Sequence, residues 1–181
     1  MLNLRQRLRA SHVKRWHIVE CTRNQTVAEH SFNVAVLAEE ICNIIEADDN
    51  FKNSVRQYAI HHDIPEIALG DLPTSVKSVF GHEAIVEVNN ISKVLDPLSA
   101  ADSPIVYRVV KLADLLDSVI FLAQHGVGTH AKKVRGLIIN NIGTVLVKFD
   151  YQYREKLIRL VSVIKTWDTD QDLGEDILWP N

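Results

Sequence analysis

Glycine and proline are scarce, seven and five in 181 residues, too few to punctuate the many short strands of a sandwich or barrel. Cysteine is scarcer still. Cys21 and Cys42 are the only two, which excludes a disulfide framework and a thiolate zinc site and makes a reducing cytoplasm the expected home. No apolar run approaches the ~20 residues that a bilayer span requires, and no membrane association is expected. The basic start, Met1 to Arg9, lacks the apolar core of a secretory signal. No excess of positive charge exists either. The formal net charge is −3, which argues against a broad basic face gripping duplex nucleic acid. A small anionic substrate stays open, since a metal ion and a few local cations suffice for one phosphate.

What the sequence does have is helix periodicity and eight histidines. Thr26 can cap a helix that carries Val27, Val34, Leu37, Ile41, Ile44 and Ile45 on one side. A second helix is expected over residues 51–63, before Pro65 and Gly70 punctuate a turn. Pro73 opens a small helix through Phe80, and a further helix covers 82–94. Residues 95–104 read as a loop ending in a Ser-Pro helix start. The pattern from Ile105 to Gln124 is long and strongly apolar, and helices fit 131–141 and 151–169. The tail, 168–181, is acidic. No strand alternation persists, so the reading is all-α, one domain over 1–181.

His30, His62, Asp63 and Asp114 fall on three of these helices. Imidazole and carboxylate groups suit a divalent transition metal such as zinc, cobalt or manganese. A hydrolase needs the set to leave a coordination position open. Each residue alone also has a plainer reading. His30 shares the inward stripe of its helix, where a hydrogen-bonded core histidine is common. Asp114 lies on a polar stripe with Tyr107, Lys111 and Ser118 that a solvated face would also show. Ahead of them, Arg15 offers a guanidinium for phosphate oxygens and Trp16 an indole face for a base or sugar, although Trp16 and Ile18 also fit a core. Lys77 is a further phosphate-binding candidate or a solvated lysine.

Together and in this order, His30…His62-Asp63…Asp114 resembles the HD superfamily of helical, metal-dependent phosphohydrolases. Three segments are similar to a narrower group: Glu29-His30-Ser31, the run from His62 to Thr74 with its Gly70-Asp71-Leu72-Pro73-Thr74, and Lys111-Leu112-Ala113-Asp114. That group comprises the bacterial 5′-deoxynucleotidases and the phage dATP triphosphohydrolases that accompany 2-aminoadenine genomes. The resemblance spans residues 8–126. It implies an HD-domain helical bundle with His30, His62, Asp63 and Asp114 as metal ligands for one ion or more. It implies Glu66 as the catalytic carboxylate, Asp71 at the deoxyribose 3′-hydroxyl, Arg15 and Trp16 in the nucleotide pocket and Ile18 at the purine edge. Without it, Glu66 reads as a surface glutamate and Asp71 as a turn aspartate.

The expected substrate is a deoxynucleotide, foremost dATP, cleaved to deoxyadenosine and triphosphate by metal-activated water at the α phosphorus, with dADP and dAMP also possible substrates. The alternative is a 5′-deoxynucleotidase acting on monophosphates. A nucleotide sensor without turnover is a third reading, against which all five ligand and catalytic positions stand intact. A cyclic-dinucleotide phosphodiesterase fits less well with the Gly-Asp-Leu-Pro-Thr run. The resemblance also implies a homo-oligomer, for which the apolar surplus of the last two helices offers a surface.

Overall fold

The computed structural model describes residues 1–71, 79 and 81–166. Its helices are α1 (Leu4–Arg7), α2 (Val27–Ile44), α3 (Asp49–His61), α4 (Glu66–Leu69), α5 (His82–Leu95), α6 (Pro104–His125), α7 (Gly128–Leu146) and α8 (Tyr151–Thr166). Short 3-10 turns follow α1 and α5. Apart from Val79, the expected helix after Pro73, with Lys77, lies outside the described residues, as does the acidic tail. None of the described helices is long and apolar enough to cross a membrane.

Local chemistry sets the helix starts. Thr26 accepts the Glu29 N–H, Asp48 the Phe51 N–H and Ser103 the Val106 N–H, the last with Pro104 at the first helical position. Each side chain thus satisfies one backbone donor that the helix start leaves without a partner. Helix α3 begins earlier than its apolar pattern predicts because Asp48 caps it. It ends at His61, and residues 62–65 turn instead of continuing the helix.

Helix α6 is the axis of the fold. Between Val106 and Leu122 it is buried on most sides, and it packs against α2, α3, α7 and α8. The main core joins Val34, Ala38 and Ile41 of α2, Val55 and Ala59 of α3, Leu112 and Leu116 of α6, and Ile142 and Leu157 from the last two helices. Helix α7 runs beyond the expected end at Asn141, through Gly143 and Thr144. Ile142, Val145 and Leu146 are buried there at helical spacing, and tertiary packing overrides the weaker local propensity.

Residues 13–27 form a loop pinned at both ends. At its base Val27 N–H donates to the Val13 carbonyl at 3.0 Å and Arg15 N–H to the Gln25 carbonyl at 2.8 Å. Near its tip Thr22 N–H donates to the His125 carbonyl at 2.8 Å and Val127 N–H to the Glu20 carbonyl at 2.9 Å. Inside this loop Trp16 adopts φ 65°. For a bulky residue that conformation costs about 1–3 kcal/mol and persists only where the surroundings enforce it. Here the indole stacks on Phe121, with centroids 5.9 Å apart.

The junction of α6 with α7 is tight. A Cβ built on Gly126 would lie 2.6 Å from the Leu122 carbonyl oxygen and 2.9 Å from the Ala131 Cβ. Gly126→Ala is therefore expected to destabilise the fold by about 1–3 kcal/mol, lowering Tm by about 2–4 °C per kcal/mol at this chain length. Gly143→Ala, with nothing within 4 Å of its added Cβ, should stabilise α7. Thermal melts of the two variants check the contrast.

Candidate metal centre

His30 and His62-Asp63 reach the centre by different routes. His30 is fully buried on the inner face of α2. His62 and Asp63 sit where α3 stops. The turn after it is held by Ile64 N–H on the His61 carbonyl at 3.1 Å and Glu66 N–H on the Asp63 carbonyl at 3.0 Å. His61 faces away from the centre and binds the buried carboxylate of Asp96 at 2.7 Å. Arg7 lies 3.7 Å from the same Asp96, and Leu2 N–H donates to the Leu95 carbonyl at 2.7 Å. The N-terminal segment thereby braces the turn that carries the two candidate ligands.

Among the described residues, one ligand atom each from His30, His62 and Asp63 lie within 4.8 Å of one another. Asp63 Oδ2 is 3.4 Å from the Nε2 atoms of both His30 and His62. Asp114, on α6, brings its Oδ1 to 3.4 Å from His30 Nε2. The stripe that carries Asp114 therefore faces the centre, and of its members only Tyr107 is exposed. Lys111 binds Asp114 Oδ2 at 2.6 Å.

These residues fit a divalent metal. His62 Nδ1–H donates to the Ala59 carbonyl at 2.7 Å, and His30 Nδ1 lies 2.6 Å from Asp117 Oδ2, which can only accept from it. Both contacts leave Nε2 as the ligand atom. Those two Nε2 atoms are buried and without hydrogen-bond partners among the described residues, as atoms set aside for coordination would be.

The two histidines differ in their electrostatics. Burial and Arg15 push the His30 pKa down, but Asp114, Asp117 and Asp63 overcome them and raise it to about 10. Burial holds His62 below its ordinary value, which favours the neutral imidazole that a metal needs. Burial alone would raise Asp63 and Asp114. Instead, His62, His30 and Arg15 hold Asp63 ionised, and Lys111, His30 and Arg15 hold Asp114 ionised, both below the usual carboxylate range.

Arg15 stands at the edge of this centre, its guanidinium 3.9 Å from Asp63 and 3.8 Å from Asp114. Trp16 follows it, half-buried, while Ile18 is 52% exposed and so is not a core residue. Asp71 is largely covered and faces His17 at 3.8 Å. Glu66 opens α4 after the break in α3, rather than continuing one helix from His62. It lines, with His62 and Asp63, a cleft of about 590 Å³ that extends past Ser92 and Lys93 of α5 to Ser103 and Tyr107.

Asp117 was not foreseen in the sequence, although a carboxylate within Leu115-Leu116-Asp117-Ser118-Val119 is a signal in itself. A buried charge needs partners, and in an apolar run the partner is a functional clue.

A family model described as 5′-deoxynucleotidase YfbR-like matches residues 4–91. The dATP triphosphohydrolase of cyanophage S-2L is 32% identical over 139 residues, 76% of this chain and 79% of that protein. The dATP triphosphohydrolase of Salmonella phage PMBT28 is 34% identical over 135 residues, 70% of this chain and 69% of its own. In structure, the cyanophage S-2L HD phosphohydrolase bound to dA and one catalytic Zn²⁺ superposes with a TM-score of 0.83 at 28% identity, covering 92% of this chain and 99% of that one. Extended likeness of sequence and of fold thus coincides with the convergent histidines and carboxylates. The chain belongs to the HD-domain family of deoxynucleotide phosphohydrolases, related to the phage dATP triphosphohydrolases and to the YfbR-like 5′-deoxynucleotidases.

Proposed function

We propose that this protein hydrolyses dATP at the α phosphorus, releasing deoxyadenosine and triphosphate. The observation that carries this reading is the match along 79% of the cyanophage dATP triphosphohydrolase. The cleft beside His62, Asp63 and Glu66 supports it, because it leaves room for a phosphate chain beyond the first phosphorus. In this reading His30, His62, Asp63 and Asp114 hold zinc, cobalt or manganese. Such an ion, when bound, lowers the pKa of water and withdraws charge from phosphoryl oxygens.

The chain's own groups do the rest. Arg15, largely covered beside Asp63 and Asp114, orients the phosphate by charge and by paired donors. Trp16 and Asp71 hold the nucleoside, Asp71 at the 3′-hydroxyl. Glu66 removes a proton from the attacking water as its oxygen bonds to the α phosphorus. The bond from that phosphorus to O5′ breaks, and O5′ takes up a proton. Lys77 is assigned to the phosphate chain on its sequence position alone.

Ile18 is assigned to the purine edge, where a bulky side chain excludes a 2-amino group by volume. Its exposure of 52% leaves it available to a ligand. Ile18→Ala is expected to raise kcat/KM for dGTP by about tenfold, the scale of a few methylenes in a pocket, with dATP little changed. Unaltered discrimination between dATP and dGTP would remove Ile18 from this role.

The second reading is a 5′-deoxynucleotidase, favoured by the family model over residues 4–91. Product chromatography separates the two. The protein with zinc, cobalt or manganese is offered each dNTP, dAMP and ATP in turn. Deoxyadenosine with intact triphosphate from dATP, and ATP spared, supports the proposal. Cleavage confined to monophosphates establishes the alternative, and nucleotide binding without turnover with any of these metals overturns both.

A further inference from the structure

Behind the candidate metal centre runs a continuous set of hydrogen bonds, buried at His30 and Gln25 and part-buried at Trp16 and Asn33. Asp117 is 2% exposed and Gln25 fully buried. Besides His30, the Asp117 carboxylate accepts from Gln25 Nε2 at 2.8 Å and from Asn33 Nδ2 at 2.9 Å. Gln25 turns its other end to Trp16 and accepts the indole Nε1–H on Oε1 at 2.9 Å. Its backbone carbonyl accepts the Arg15 N–H at 2.8 Å. The chain reads Trp16–Gln25–Asp117–His30.

This is more than a core histidine requires. His62 is satisfied by the Ala59 carbonyl, a neutral acceptor from its own helix. For His30 the fold instead buries a carboxylate, a costly group, and surrounds it with three donors. An ionised acceptor fixes the ring and its tautomer more firmly and makes Nε2 a better electron donor. The same amide that completes the Asp117 shell also accepts the indole N–H of Trp16, whose backbone is left-handed.

We infer that Gln25 and Asp117 are positioning residues, linking the candidate ligand His30 to the Arg15-Trp16 segment through one hydrogen-bond chain. The metal centre and the nucleotide-facing segment are then set in place as a unit. The inference rests on the ligand role proposed for His30, and not on which nucleotide is cleaved.

The test is zinc transfer from the zinc-loaded protein to a chromophoric chelator, for wild type, Asp117→Asn, Gln25→Met, Trp16→Phe and the Asp117→Asn/Gln25→Met double variant. Zinc affinity should fall by about 10–100-fold in Asp117→Asn, the usual effect of losing a partner behind a ligand histidine. Gln25→Met should lose about tenfold and Trp16→Phe about threefold, as the change moves farther from the metal along the same chain. The double variant should lose no more than Asp117→Asn alone, because a broken chain cannot be broken again. A packing role would lower Tm but would not give this order or this non-additivity.

Trp16→Phe removes the indole N–H while leaving an aromatic ring to stack on Phe121, so it reports even where Gln25→Met fails to fold. Additive losses, or wild-type affinity in both Gln25→Met and Trp16→Phe, would overturn the inference while leaving the metal reading intact. A wild-type protein that takes up no zinc, cobalt or manganese would overturn the inference and the ligand role of His30 together.

Discussion

Asp63→Asn is expected to lower turnover by about 10³-fold or more, through loss of the metal rather than loss of the fold. Asp63 Oδ2 is the atom common to the candidate centre, 3.4 Å from each imidazole Nε2. A carboxamide keeps the shape but removes the charge, and its NH₂ in that place would meet the metal-facing side of two histidines. It also removes one of the carboxylates beside Arg15, so some loss of stability accompanies the loss of activity. A thermal shift with zinc separates the two effects. Zinc at a hundredfold excess over Kd should stabilise the wild type by about 2.7 kcal/mol, while the variant should melt at the same temperature with and without it. A variant that still shifts with zinc and still turns over would remove Asp63 from the ligand set.

The fold was legible because local signals and tertiary packing agree along most of the chain. Thr26 and Ser103-Pro104 cap the helices they were read as starting, and Val34 and Ile41 are buried as their spacing predicts. Boundaries were less legible where packing decides, as at Ile142, Val145 and Leu146 beyond the glycine of α7. His30, His62, Asp63 and Asp114 are singled out in the sequence by order and resemblance, since no spacing rule brings three helices to one point.

Gln25 and Asn33 were invisible for a related reason. An amide gains its role from a partner, and Gln25 meets Asp117 only when α2 and α6 pack. Trp16 shows the same limit from the other side. Its sequence neighbourhood allows either a core or a pocket residue, and the left-handed backbone that turns it toward Gln25 and Phe121 is imposed by the loop pinned at both ends.

Glu66→Gln should separate proton transfer from metal binding. Glu66 opens α4 and lines the cleft beside His62 and Asp63, yet it lies outside the group whose ligand atoms converge. Its charge supports Arg15, whose pKa is lowered by burial but raised more by Asp63, Asp114 and Glu66. Glutamine preserves the volume and can accept a hydrogen bond, but at neutral pH it cannot take a proton from water. kcat is therefore expected to fall by about 10²–10⁴-fold, the range for losing a general base, with zinc affinity within a few-fold of wild type. KM should rise modestly, because Arg15 loses one of its compensating charges. The decisive measurement pairs kcat for dATP with zinc content after dialysis. Retained zinc with lost turnover assigns the proton to Glu66. A loss smaller than tenfold with zinc retained would move the base elsewhere, and zinc lost along with turnover would make Glu66 a ligand, against the grouping of His30, His62 and Asp63.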